Sequence, residues 1–250
     1  MNAPLKSVDA IAATEASARI ELAAFYRLVE HLGWGEGIYN HIALRVPGSP
    51  DEFLIKLHAL TYEEVTASNL VKVNSHDDLD ERAGVNRVGF CTHAPVMRAR
   101  PDVDCTIHLH TVPIMAIAAH PKGLRMLHQH SVRFYDDIAY QDYEGFAESS
   151  EAQERLVRDL GSKRVLIMHN HGVLITGKSV EDTFTSTLRF MFACEIQLKL
   201  EACGQGGLDM STEACRAAVE QFKRHDHGRG TADWPAWLRR LNRIDTSYQN

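Results

Sequence analysis

Two rhythms of apolar residues alternate along this chain. From about Asp9 to Leu32 the positions Ile11, Leu22, Phe25, Leu28, Val29 and Leu32 return at helical spacing in an Ala- and Glu-rich background, and Gly33 supplies a stop. A long amphipathic helix is predicted there. After Trp34-Gly35-Glu36-Gly37 the rhythm shortens: YNHIALRV and EFLIK read as two strands, joined by a turn at Pro47-Gly48-Ser49-Pro50. Tyr62-Glu63-Glu64 reads as a short helix, Asn69–Val73 as a strand and SHDDLDERAG as an exposed turn. Val85–Phe90 reads as extended, and Thr92–Ala99 as two helical turns ended by Arg100-Pro101.

The stretch Pro101–His110, PDVDCTIHLH, is an apolar strand that ends in His108 and His110, and a period of two puts both imidazoles on one face. Cys105, an odd step from His108, falls on the other face. Val112–Ala119 then reads as a helix, Val132–Tyr140 as short extended pieces and QDYEG as an acidic loop. Ser150 with Gln153 matches a capping box that opens a helix to about Leu160. Strands at Val165–Met168 and Val173–Thr176 flank a turn at His171-Gly172. Ser179–Ala202 reads as a second long helix with a buried face of Phe184, Leu188, Met191, Phe192, Ile196 and Leu200. Ser211 opens a shorter helix to about Phe222, and a tail runs through HDHGRG to Trp234 and Trp237. Helices and strands alternate throughout, so an α/β layered domain around a central sheet is predicted.

Composition narrows the function classes. With 250 residues, 44% of them hydrophobic, the chain is long enough to bury a sizeable core. A formal net charge of −6 gives no basic stripe, which argues against nucleic acid or an anionic membrane as main partner and fits a small-molecule substrate or a protein partner better. Five cysteines without C-x-x-C spacing fit neither a disulfide framework nor a zinc ribbon. MNAPLKSVDA lacks the apolar core of a signal peptide and no run approaches a bilayer span, so a cytoplasmic protein is expected.

Three His-x-His pairs occur among the 14 histidines: His108/His110, His128/His130 and His169/His171. Spacing alone leaves two readings open, ligands of a divalent metal or strand histidines satisfied by carbonyls. Position separates the pairs, because His108 and His110 end an apolar strand whereas His128 and His130 lie in charged, irregular sequence. Of His169 and His171, only one need face the metal.

The runs YNHIALRV, ALTYEEVTASNLVKV, VNRVGFCTHAPVMRARPDVDCTIHLHT and HNHGVLITG, in the family's order over roughly residues 15–205, closely resemble the class II aldolase/adducin family, nearer its adducin-like branch. The resemblance implies a three-layer α/β domain with a central, mainly antiparallel sheet flanked by helices. Its expected extent is residues 15–225, between an N-terminal arm (1–14) and a C-terminal tail (226–250). It also implies that His108, His110 and His171 bind a divalent metal, with Zn2+ expected and Mn2+, Fe2+ or Co2+ also fitting three imidazoles. Family members are commonly homotetramers with the site near a subunit interface. Adducin, similar in fold, is a cytoskeletal protein without these histidines, so their presence points to an enzyme.

The departures from the family matter as much. Its aldolases carry an acid/base glutamate nineteen positions before the first histidine of the pair; here that position is Gly89. The places matching the family's phosphate cradle are Tyr39-Asn40, His58-Ala59 and Arg87-Val88, of which only Asn40 survives. Asn40, Arg87 and His93 are therefore the candidate substrate-binding residues, Arg87 as a partner for a carboxylate. Glu144, Tyr140 (or its neighbour Tyr143) and His41 are the candidates for the missing acid/base, with His93 supporting a neighbour. The resulting expectation is a metal-dependent lyase of aldolase or decarboxylase type acting on a small unphosphorylated hydroxy or oxo acid. The alternative is an adducin-like binding or assembly protein whose metal is structural.

Overall fold

Among the residues that the structure describes, 14–79, 84–204, 206–225 and 233–250, seven strands form one sheet. In this computed structural model they are β1 (His41–Val46), β2 (Ser49–Ile55), β3 (Val71–Asn74), β4 (Cys105–Leu109), β5 (Ile138–Gln141), β6 (Val165–Met168) and β7 (Gly172–Gly177). Their order is β3-β2-β1-β4-β7-β6-β5, antiparallel at every junction but β5–β6. The helices are α1 (Glu15–His31), α2 (Arg87–Ala99), α3 (Val112–Ala118), α4 (Ser150–Leu160), α5 (Val180–Ala202), α6 (Thr212–His225) and α7 (Asp233–Ile244).

Strand alternation sorts the core into two layers, because successive side chains leave a strand on opposite faces. Ile42, Leu44, Cys105, Ile107, Leu109, Val173 and Ile175 face α1, α3, α5 and α7. Ala43, Phe53, Ile55, Leu166 and Leu174 face α2 and α4. The result is the three-layer helix–sheet–helix architecture expected, with Cys105 on the face opposite His108 as the alternation required. No described helix is long and apolar enough to cross a membrane.

Several elements differ from the sequence reading for identifiable reasons. The first helix begins at Glu15 rather than near Asp9, because Thr14 is extended and its hydroxyl accepts from Ser17 N; Ile11 and the rest of 1–13 lie outside the described residues. Its end is as expected, with Gly33 at φ +72° and Trp34 N donating back to Val29 O. Val85–Phe90 is not extended: α2 starts at Arg87, since Asn86 Oδ1 accepts from both Val88 N and Gly89 N. The cap of α4 is Ser149, which accepts from Ala152 N, one residue earlier than expected. Residues 131–134 form a 3-10 turn, and only Ile138–Gln141 of that stretch is a strand.

On α5 the buried stripe of the C-terminal half runs through Phe190, Ala193, Cys194 and Gln197, leaving Phe192 and Leu200 exposed. Gln197 tolerates burial because its Nε2 donates to Gly123 O and its Oε1 accepts from Arg125 N. Helix α6 continues past Phe222 to His225. Within 226–250, α7 sets Trp234 into the main core, its ring 5.3 Å from that of Phe184.

Candidate metal centre

Strand pairing brings the histidines together. His41 on β1 lies directly across from His108 on β4, and β4 in turn pairs with β7, Leu109 opposite Val173. His110 follows β4 immediately. His171 reaches the same point because Asn170 takes a left-handed conformation, φ +56°, turning the chain between β6 and β7. The next residue has to be glycine: a Cβ at Gly172 would sit 2.5 Å from Leu109 O and 2.7 Å from His110 Cδ2.

The three Nε2 atoms converge. His110 Nε2 is 2.7 Å from His108 Nε2 and 3.0 Å from His171 Nε2, and this is the one cluster of three potential ligand side chains among the described residues. The outer nitrogens determine what the inner ones carry. A carbonyl only accepts, so His108 Nδ1–H donates to Val173 O at 2.9 Å; His110 Nδ1–H likewise donates to the Glu36 carboxylate at 3.0 Å. With both rings in that tautomer their Nε2 lone pairs point at one another, as the ligands of a shared cation do. Burial, reinforced by the neighbouring His110, holds His108 well below the usual histidine range and His171 down to about 4, so both are neutral ligands at pH 7. A tetrahedral ion about 2.0–2.1 Å from each nitrogen spaces them about 3.3–3.4 Å apart, so these contacts would open by less than about 1 Å. The donor set fits a divalent metal.

Around this cluster the structure gathers Asn40, His41 and His93. Asn40 is 2% exposed with φ +60°; its Oδ1 accepts from His110 N at 3.0 Å, and its Nδ2 is buried without a partner. That orphaned donor suits a substrate oxygen. His41 stacks on His108, centroids 5.1 Å apart, and His93 Nε2 lies 2.7 Å from His41 Nδ1. Burial holds both rings neutral, His41 well below its ordinary value and His93 down to about 3.

The vacated glutamate position is not empty space. A Cβ at Gly89 would fall 2.7 Å from His41 Cδ2 and 3.0 Å from its Nε2, so the His41 ring fills the volume that a side chain there would use.

Other candidates lie apart from the histidines. The guanidinium of Arg87 donates to Leu79 O and faces Asp78. Glu144 is ion-paired with Arg155, although it lines a small cleft with His171, Tyr143 and Phe146. Tyr140 points its hydroxyl at Leu124 N. His169 bonds Asp142, while His128 and His130 sit beside Phe192 and Ser131, well removed in the fold.

Glu36 and Lys56 escaped the sequence reading. Glu36 is 74 residues from His110, and no local spacing connects them. Lys56 donates to Ile38 O at 2.7 Å and Leu60 O at 2.9 Å, pinning the loop that delivers Asn40; burial lowers its pKa to about 8. Replacing Glu36 with glutamine should weaken metal affinity roughly 10- to 100-fold, because a neutral amide orients and polarises the His110 ring less. Competition against a chromogenic chelator measures it, and unchanged affinity would remove Glu36 from the site.

The sheet carries three histidines that converge at the adjoining ends of β4 and β7, an arrangement able to hold a metal. The chain belongs to the class II aldolase/adducin family: the model of the class II aldolase and adducin N-terminal domain matches residues 20–198. It is 36% identical to a Caulobacter vibrioides protein named "Putative aldolase class 2 protein", over 95% of this chain and 94% of that one. Mouse alpha-adducin is 42% identical over 75% of this chain, a match spanning 26% of the adducin. The crystal structure of an aldolase II superfamily protein from Pseudomonas syringae superposes with a TM-score of 0.87 at 37% identity, covering 97% of this chain and 98% of that one.

Proposed function

We propose that this protein is a metal-dependent carbon–carbon lyase, of aldolase or decarboxylase type, acting on a small unphosphorylated hydroxy or oxo acid. The carrying observation is the convergence of His108, His110 and His171, with the outer N–H groups of His108 and His110 committed to Val173 O and Glu36. A bound divalent ion, Zn2+ or one of Mn2+, Fe2+ and Co2+, would supply Lewis-acid charge to a substrate oxygen. The protein's own part is to bind and orient: Asn40 Nδ2 offers a donor beside His110, and His41 lies over His108 where the aldolases' acid/base carboxylate would stand.

Two features support an unphosphorylated substrate. The places matching the phosphate cradle hold Tyr39, His58 and Arg87, and Arg87 is engaged by Asp78 and Leu79. Without a carboxylate at Gly89, cleavage that starts by removing a proton lacks its usual base, whereas loss of carbon dioxide from a β-oxo or hydroxy-aromatic acid needs none. Exposed Tyr143, its ring 6.3 Å from that of His171, and exposed Phe146 in the same cleft support a homo-oligomer with the site close to a subunit boundary, which we take to be a cytoplasmic tetramer.

The test is to load the protein with each metal and assay a panel of β-oxo, hydroxy and hydroxy-aromatic acids for carbon dioxide and aldehyde release, with fuculose 1-phosphate alongside. Turnover of an acid supports the reading; efficient cleavage of the sugar phosphate instead would sink it. The identity to alpha-adducin favours a second reading, a non-catalytic binding or assembly protein with a structural metal. A fourth protein ligand closing the metal, with no acid turned over, is its signature.

A further inference from the structure

Three side chains line up behind the histidine cluster. Thr106 Oγ1 lies 2.6 Å from His93 Nδ1, and His93 Nε2 lies 2.7 Å from His41 Nδ1. Thr106 and His93 are both 0% exposed. Among the described residues the Thr106 hydroxyl has no partner besides His93, and His41 Nε2 has none at all. His41 is 5% exposed, and its Nε2, unlike Asn40 Nδ2, is not among the fully buried atoms without a partner, so it keeps a small accessible surface.

Each contact can run in either of two directions, and the threonine decides. A hydroxyl always carries a hydrogen, whereas a neutral imidazole leaves one nitrogen bare. Were Thr106 to accept from His93 Nδ1–H, its own hydrogen would be stranded in the interior without an acceptor. With Thr106 donating, His93 Nδ1 accepts, His93 Nε2–H donates to His41 Nδ1, and the His41 hydrogen must sit on Nε2. The hydrogens of Thr106 and His93 then both have partners, and the one left over sits on His41 Nε2, the end of the row that is not fully enclosed.

We propose that Thr106 and His93 are positioning residues that lock His41 as its Nε2–H tautomer, giving the site a hydrogen-bond donor where the family's aldolases have a carboxylate base. His41 keeps its proton throughout; the N–H steadies negative charge gathering on a substrate carbonyl or carboxylate oxygen. A donor of this kind suits a β-oxo or hydroxy-aromatic acid that loses carbon dioxide, and disfavours a substrate that must first give up a proton. That role toward substrate rests on the lyase reading, but the tautomer does not.

Neutron diffraction from crystals of the perdeuterated wild-type protein tests the tautomer without any substrate. Deuterium is expected on Thr106 Oγ1 aimed at His93, on His93 Nε2 and on His41 Nε2. Deuterium on His41 Nδ1 with a bare Nε2 overturns the proposal. A second arm compares His41→Gln, whose amide can still donate, with His41→Glu, which offers only a carboxylate at pH 7. With a donor required, kcat/KM of the glutamine variant exceeds that of the glutamate variant by about tenfold or more; the reverse order makes His41 a base and overturns the proposal. If no acid is turned over, the lyase reading fails alone, and the deuterium positions still decide the tautomer.

Discussion

His171→Ala should leave the protein folded and without metal. His171 sits on the turn between β6 and β7 and is partly exposed, so its removal costs little packing while taking away one of three ligands. After dialysis against a weak chelator, plasma mass spectrometry should find about one metal per chain in the wild type and below about a tenth of that in the variant. His128→Ala, remote from the cluster, should retain the full content. A readout independent of activity follows from linkage: zinc at about a hundred times its dissociation constant adds about 2.7 kcal/mol to the wild type and raises its melting temperature, but not that of the variant. Equal metal loss from the His128 variant would overturn the assignment of the site.

The second large effect is expected from restoring the family's glutamate. Gly89→Glu should destroy function rather than confer sugar-phosphate cleavage. The backbone is not the obstacle, since Gly89 lies in the first turn of α2; the obstacle is the His41 ring, 2.7 Å from the added Cβ. That ring is held by its stack on His108 and its contact with His93, so it cannot step aside without breaking both. Overpacking of this kind costs about 1–3 kcal/mol, or a fall in melting temperature of roughly 2–12 °C for a chain of this size. Displacing His41 should also lower turnover by about a hundredfold or more. Gly89→Ala carries the same first clash and should show the same loss in milder form. Unimpaired turnover in either variant would mean that His41 has no part in the chemistry.

The clustering of the three histidines was legible because its signal is local. Strand alternation alone puts His108 and His110 on one face, and apolar runs flanking His171-Gly172 announce a hairpin. The helix α2 was half misread because Val85, Val88 and Phe90 look like a strand, and only the Asn86 side chain, by capping two backbone amides, decides otherwise. What surrounds the metal histidines was less legible still. Counting residues exposed the vacancy at Gly89, but not that a ring from a strand 48 residues earlier fills it. Glu36, Lys56 and the Val173 carbonyl orient the site through contacts with no sequence periodicity at all. Likewise, Trp234 gave no sign that it would reach Phe25 and Phe184 across the chain.

Pairing of β4 with β7 also sets when during synthesis the site can exist. His108 and His110 leave the ribosome more than sixty residues before His171, and Val173, which orients His108, comes later still. A nascent chain that ends before β7 therefore offers two loosely held imidazoles and no enclosure. A metal held by this cluster would have to wait for that long-range pairing, so it would stabilise a finished sheet and could not serve as the seed around which the sheet assembles.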